Sequence, residues 1–70
     1  MKIKDFKKVF DCVGEMNNLN VIIYNINTCK TIKAYENYYD FNYDPSNEKY
    51  KIHKIGGIVL FKSSIDLWVE

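Results

Sequence analysis

Residues 3–13 carry one apolar stripe at helical spacing, and from Leu19 onward the pattern shortens to strand-like alternation. Ile3, Phe6, Val9, Phe10 and Val13 fall at i, i+3, i+6, i+7 and i+10, the period of an amphipathic helix. Lys4, Lys7, Lys8 and Asp11 take the other face. Gly14 then stands where a C′ glycine would stop the helix. One helix followed by strands is the plan of a small α+β domain, with the helix packed on an antiparallel sheet of four to five strands.

The strands are read from β-branched and aromatic runs bounded by turn formers. They span about 19–26, 31–37, 49–55, 58–62 and 65–69. Val21, Ile23 and Asn25 share one face of the first. Asn27-Thr28-Cys29-Lys30 then turns the chain into the second, which makes a hairpin. Tyr38 to Phe41 reads as the end of that strand or as a short separate one. Asp44-Pro45-Ser46-Asn47 is the clearest loop, since it joins proline to three turn formers. Gly56-Gly57 marks a bulge or bend, and Lys62-Ser63-Ser64 a turn. Ile65, Leu67 and Val69 lie on one face of the last strand, with Asp66 and Trp68 on the other.

Seventy residues make one domain, 1–70, with a core small enough that a partner or a staple would help it. The longest apolar runs, Val21-Ile22-Ile23-Tyr24 and Ile58-Val59-Leu60-Phe61, are far short of the ~20 residues of a membrane span. The start, Met1-Lys2-Ile3-Lys4-Asp5-Phe6, has charge where a secretory signal would be apolar. The expectation is a cytoplasmic protein, with Cys12 and Cys29 as free thiols. Lys, Ile, Asn, Tyr and Phe supply 37 of the 70 residues, the usage of a low-GC genome.

No catalytic constellation is legible, so an enzyme is not expected. His53, the single histidine, sits in a strand between Lys51 and Lys54 with no nucleophile at a telling spacing. Two cysteines and one histidine fall short of the four ligands of a structural zinc site. Gly56-Gly57 precedes a β-branched run and not a helix, which is wrong for a phosphate loop. No metal and no cofactor is expected.

All ten basic residues are lysine, and the net charge is +1. Without arginine the chain lacks the bidentate fork that grips phosphate and guanine, so direct nucleic-acid binding is disfavoured. The near-neutral sum is a cancellation. Residues 36–48 hold Glu36, Asp40, Asp44 and Glu48 with no base, whereas residues 49–62 hold four lysines with no acid. The acidic block also holds Tyr38, Tyr39, Phe41 and Tyr43. Tyrosine is a preferred interface anchor, and acids among tyrosines suit a basic surface. The expected partner-binding set is Glu36, Tyr38, Tyr39, Asp40, Tyr43, Asp44 and Glu48, with Trp68 as a second candidate anchor.

The opening Met1-Lys-Ile-Lys-Asp-Phe6, the strand Asn20-Val-Ile-Ile-Tyr24 and the closing Ile65-Asp-Leu-Trp-Val69 resemble, in layout, small phage and prophage proteins of low-GC Gram-positive bacteria, including anti-CRISPR inhibitors. The resemblance implies a phage-derived protein that inhibits a host nucleic-acid-binding protein, such as a CRISPR-Cas effector, by stoichiometric binding. Two alternatives stand beside it. One is a small nucleic-acid-binding module using the lysine-rich strand 49–62. The other is a structural homo-oligomer, a homodimer being its simplest form.

Overall fold

The computed structural model describes residues 1–10, 19–59 and 62–70. Its elements run α1 (Ile3–Val9), β1 (Asn20–Asn25), β2 (Thr31–Tyr35), α2 (Tyr38–Tyr43), a 3-10 turn (Pro45–Asn47), β3 (Ile52–Val59) and β4 (Lys62–Val69). The four strands form one sheet in the order β2-β1-β4-β3. The α+β plan therefore holds, but the sheet is mixed and not antiparallel. β1 pairs with β2, and β3 with β4, antiparallel, while the two central strands β1 and β4 run parallel. The reason lies in residues 36–51. They form a crossover long enough to carry the chain from one edge of the sheet to the other, so β4 returns into the middle beside β1.

Both helices cover one face of this sheet. Ile3 and Phe6 of α1 and Tyr38 and Phe41 of α2 pack over Val21, Ile23 and Leu67 in a single buried cluster. Phe41 meets Phe6, Tyr35 and Tyr38 with ring centroids 6.2, 5.6 and 5.3 Å apart. Such tilted and edge-on contacts suit the aromatic quadrupole. Strand alternation sends Ile22 and Tyr24 of β1, and Asp66 and Trp68 of β4, to the opposite face, which no helix among the described residues covers.

The predicted helix begins on time and has helical bounds Ile3–Val9, with Phe10 donating its N–H to Phe6 as the C-cap. Residues 11–14, including the last predicted turn and Gly14, lie outside the described residues. Val9, assigned to the apolar stripe, is exposed instead. Lys7, assigned to the polar face, is tucked inward with its side chain 7% exposed.

Three strand readings change. Tyr38 to Phe41 belongs to a second helix and not to a strand. Asn37 caps it by accepting the Asp40 N–H at 2.9 Å, and Tyr38 and Phe41, three residues apart, both turn inward. Most of the predicted strand 49–55 and the start of 58–62 join in one strand, β3 (Ile52–Val59), residues 60–61 lie outside the described residues, and Lys62–Ser64 belongs to β4 rather than to a turn. The glycine pair does make a bulge, with the β3–β4 register shifting between Gly56 and Ile58 and Gly57 at φ 84°. The β1–β2 hairpin is as read. Asn25 accepts the N–H groups of Asn27 and Thr28, and Cys29 closes the loop at φ 59°.

Both sheet edges carry features that discourage strand addition. β2 is bulged opposite Ile23/Tyr24 and carries Lys33. β3 has two register shifts, and the segment before it is bridged by the N-terminal residues. Lys2 pairs with Lys51, Ile3 donates to Tyr50, and Ile52 donates to Met1.

Candidate functional site

The acidic block does not form one face. The fold divides its seven predicted residues among three environments, and the division follows from how α2 sits on the sheet.

Asp44 is the C-cap of α2 and the N-cap of the following 3-10 turn. Its carboxylate accepts from Lys33 Nζ at 2.8 Å, Tyr35 Oη at 2.5 Å, and the Ser46 N–H and Oγ at 2.9 and 2.7 Å. Four donors on one carboxylate, led by the Lys33 ammonium and then the Tyr35 phenol, hold Asp44 far below the ordinary carboxylate range. The Lys33 ammonium is correspondingly raised by its bond to Asp44. Burial, with the Asp44 bond behind it, raises the Tyr35 phenol. The charge of Asp44 is thus answered inside the molecule.

Beneath it, Asn47 is 2% exposed and donates to Tyr35 Oη at 3.1 Å and to the Phe41 carbonyl at 3.0 Å. Lys7 reaches the same junction from α1. It donates to the Asp44 carbonyl at 2.9 Å, pairs with Glu48 at 3.6 Å and lies 5.1 Å from the Phe41 ring centroid. Burial lowers the Lys7 ammonium, partly offset by Glu48. Asp44 and Glu48 therefore tie α1, β2 and α2 together. Tyr38, predicted as an anchor, is 5% exposed and belongs to the core. The fold thus engages these three within the molecule: the helix turns Tyr38 into the core, Asp44 is bonded by four donors, and the part-exposed Glu48 pairs with Lys7.

The remaining four are on the surface. Tyr39 and Tyr43, one helical turn apart, project from the outer side of α2 at 43% and 78% exposure. Asp40 is exposed on the same side, its carboxylate near the Asn37 amide at 3.2 Å. Glu36, at the end of β2, is exposed but lies elsewhere. It borders a shallow groove on the uncovered sheet face, with Asn20, Ile22 and Ala34.

Trp68 is half-buried on that same open face, stacked on Tyr24 with ring centroids 4.4 Å apart and planes 17° from parallel. His53 is exposed and contacts Glu70 Oε2 at 3.0 Å. Cys29 is exposed as a free thiol, and Cys12 lies outside the described residues. Lys49, Lys51 and Lys54 of the lysine-rich segment are exposed, and the Lys2–Lys51 bridge joins this segment to the N-terminal lysines.

Sequence reasoning missed the internal junction. Asn47 and Ser46 read as turn formers, and nothing in their spacing marks them as partners of Tyr35 and Asp44. Comparison with protein-family models, curated proteins and solved structures finds no match. Among the described residues no helix is long and apolar enough to cross a membrane.

Proposed function

We propose that this chain acts by stoichiometric binding to another protein, with the outer side of α2 as its contact surface. The observation that carries the reading is the pair Tyr39 and Tyr43, exposed one turn apart around Asp40 on a helix whose other side is locked into the core. A tyrosine that is 78% exposed gains nothing from its own fold, whereas a partner can bury its ring and keep its hydroxyl wet. The α2 scaffold is held by the Asp44 and Asn47 bonds, so the anchors are presented with little ordering left for the moment of binding.

The partner is a basic protein surface, which Asp40 complements. A nucleic-acid groove on a host protein is one such surface, and Asp40 is the acid that α2 presents to it. The resemblance to phage proteins and the low-GC residue usage support a phage-derived inhibitor acting in the bacterial cytoplasm, and a CRISPR-Cas effector is the target to test first. Occlusion of the groove would be the mechanism, with no reaction catalysed.

The test is affinity capture from a low-GC host lysate, with and without added CRISPR effectors. The wild-type chain is compared with a Tyr39→Ala/Asp40→Lys/Tyr43→Ala variant. The expected result is a basic, nucleic-acid-binding protein retained by the first and lost by the second. Equal retention by both would remove α2 as the contact surface.

A further inference from the structure

The uncovered face of the sheet carries a carboxylate that no other described residue answers. Asp66 lies on the central strand β4, opposite Ile22 of β1 on one side and Gly56 of β3 on the other. It is half-buried, and among the described residues its carboxylate has no hydrogen bond and no ion pair. Aspartate is a poor strand former. The neighbouring residue makes room for it. A Cβ on Gly57 would stand 2.6 Å from Asp66 Oδ2, and Gly57 adopts φ +84°. Position 57 thus gives up a side chain where the carboxylate sits.

Two residues along the same face, Trp68 stands beside its β1 partner Tyr24, and the two rings stack. Ile22, Tyr24, Asp66 and Trp68 therefore form a block of four on two adjacent parallel strands, with apolar and aromatic surface around one negative charge. Lys54 pairs with Trp68 from β3, yet makes no ion pair with Asp66. Glu36 adds a second carboxylate at the groove beyond Ile22. Violations of local preference without a structural return are expected at working sites.

We infer that this face receives an arginine side chain of a partner protein, its guanidinium on Asp66 and its plane against the Tyr24–Trp68 pair. Arginine suits the block better than lysine, since its planar cation gives a carboxylate two parallel bonds and stacks on aromatic rings. The chain itself contains no arginine, so the occupant is not a second copy. The contact lies on the far side of the sheet from α2 and stands independently of the function proposed for that helix.

Trp68 is the single tryptophan, so its emission reports this face alone. The experiment titrates the full chain with a hexa-arginine peptide and, separately, with a hexa-lysine peptide at equal ionic strength. The expected result is a saturable change in Trp68 emission with arginine and an affinity several-fold weaker with lysine. Asp66→Asn should weaken arginine binding about tenfold, while Asp40→Asn on α2 leaves it unchanged. Lys54→Met should retain or strengthen it, since a like charge leaves the face. Equal affinity for the two peptides, or an Asp66→Asn variant that binds as the wild type does, would overturn the inference. Binding lost in Asp40→Asn but kept in Asp66→Asn would also overturn it, and would leave the α2 proposal standing. Amide NMR spectra of each variant confirm that the sheet is intact before the titrations are compared.

Discussion

Tyr35 donates its phenol to Asp44 at 2.5 Å, and so ties the last residue of β2 to the residue that ends α2. With Lys33 on the same oxygen, the carboxylate is charged in the folded chain at pH values where a free aspartate would be neutral. A folded value below the ordinary 3.8 stabilises the fold fully above that value, and the contribution is lost as pH falls through the depressed one. Asp44→Asn should therefore lower the urea midpoint at pH 7. The gap between variant and wild type should shrink steadily below about pH 4. Urea titrations at a series of pH values read it, and a gap constant with pH would deny Asp44 its charge role.

Asn47 holds the same junction from below. Asn47→Ala removes the amide that donates to Tyr35 Oη and the Phe41 carbonyl, and leaves that carbonyl with the Asp44 N–H at 3.3 Å. The expected cost is about 2 kcal/mol, the usual size for losing two buried hydrogen bonds. Asn47→Asp should cost at least as much, because a carboxylate cannot donate to that carbonyl. Chemical denaturation of both variants measures this.

The two glycines of the β3 bulge should separate cleanly on substitution. Gly56→Ala meets nothing within 4 Å and should be close to neutral. Gly57→Ala adds a Cβ in the left-handed region and against Asp66, and should cost more than about 1 kcal/mol. Removing the opposing carboxylate in Gly57→Ala/Asp66→Ala should restore part of the loss, leaving the backbone share. Thermal melts of the three variants decide.

Lys2 and Lys51 face one another across an isolated antiparallel bridge, and like charges so placed repel. Lys51→Glu turns the pair into an attractive one and should raise stability by about 0.5 kcal/mol. The gain should fall with added salt. A melting series between low and high ionic strength would show it.

The helix at the start and the faces of β1 and β4 were legible because burial follows period there. Ile3 and Phe6 at helical spacing, and Val21/Ile23 and Ile65/Leu67/Val69 in alternation, leave little room for another reading. α2 was hidden by its own composition. Tyr38, Tyr39, Phe41 and Tyr43 carry strand preference, and the helix exists because Asn37 caps it and two rings find the core. The parallel pairing of β1 and β4 was out of reach, since sequence shows hairpins but not which hairpin edges meet. The acidic block was visible as a block. Its division was not, because whether an acid faces solvent or a lysine 11 residues away, as Asp44 does with Lys33, is decided only by tertiary contact.

The placement of β4 beside β1 also governs how the molecule assembles. β1–β2 and β3–β4 are each antiparallel pairs of consecutive strands, whereas the line where Val21 meets Ile65 joins residues far apart in the chain. Closing that long loop is the entropic hurdle of the whole fold. The expected folding kinetics are those of two preformed halves meeting along one line. Ile23→Val and Leu67→Ala should slow refolding in a chevron experiment, while changes in the 26–30 loop should mainly alter unfolding.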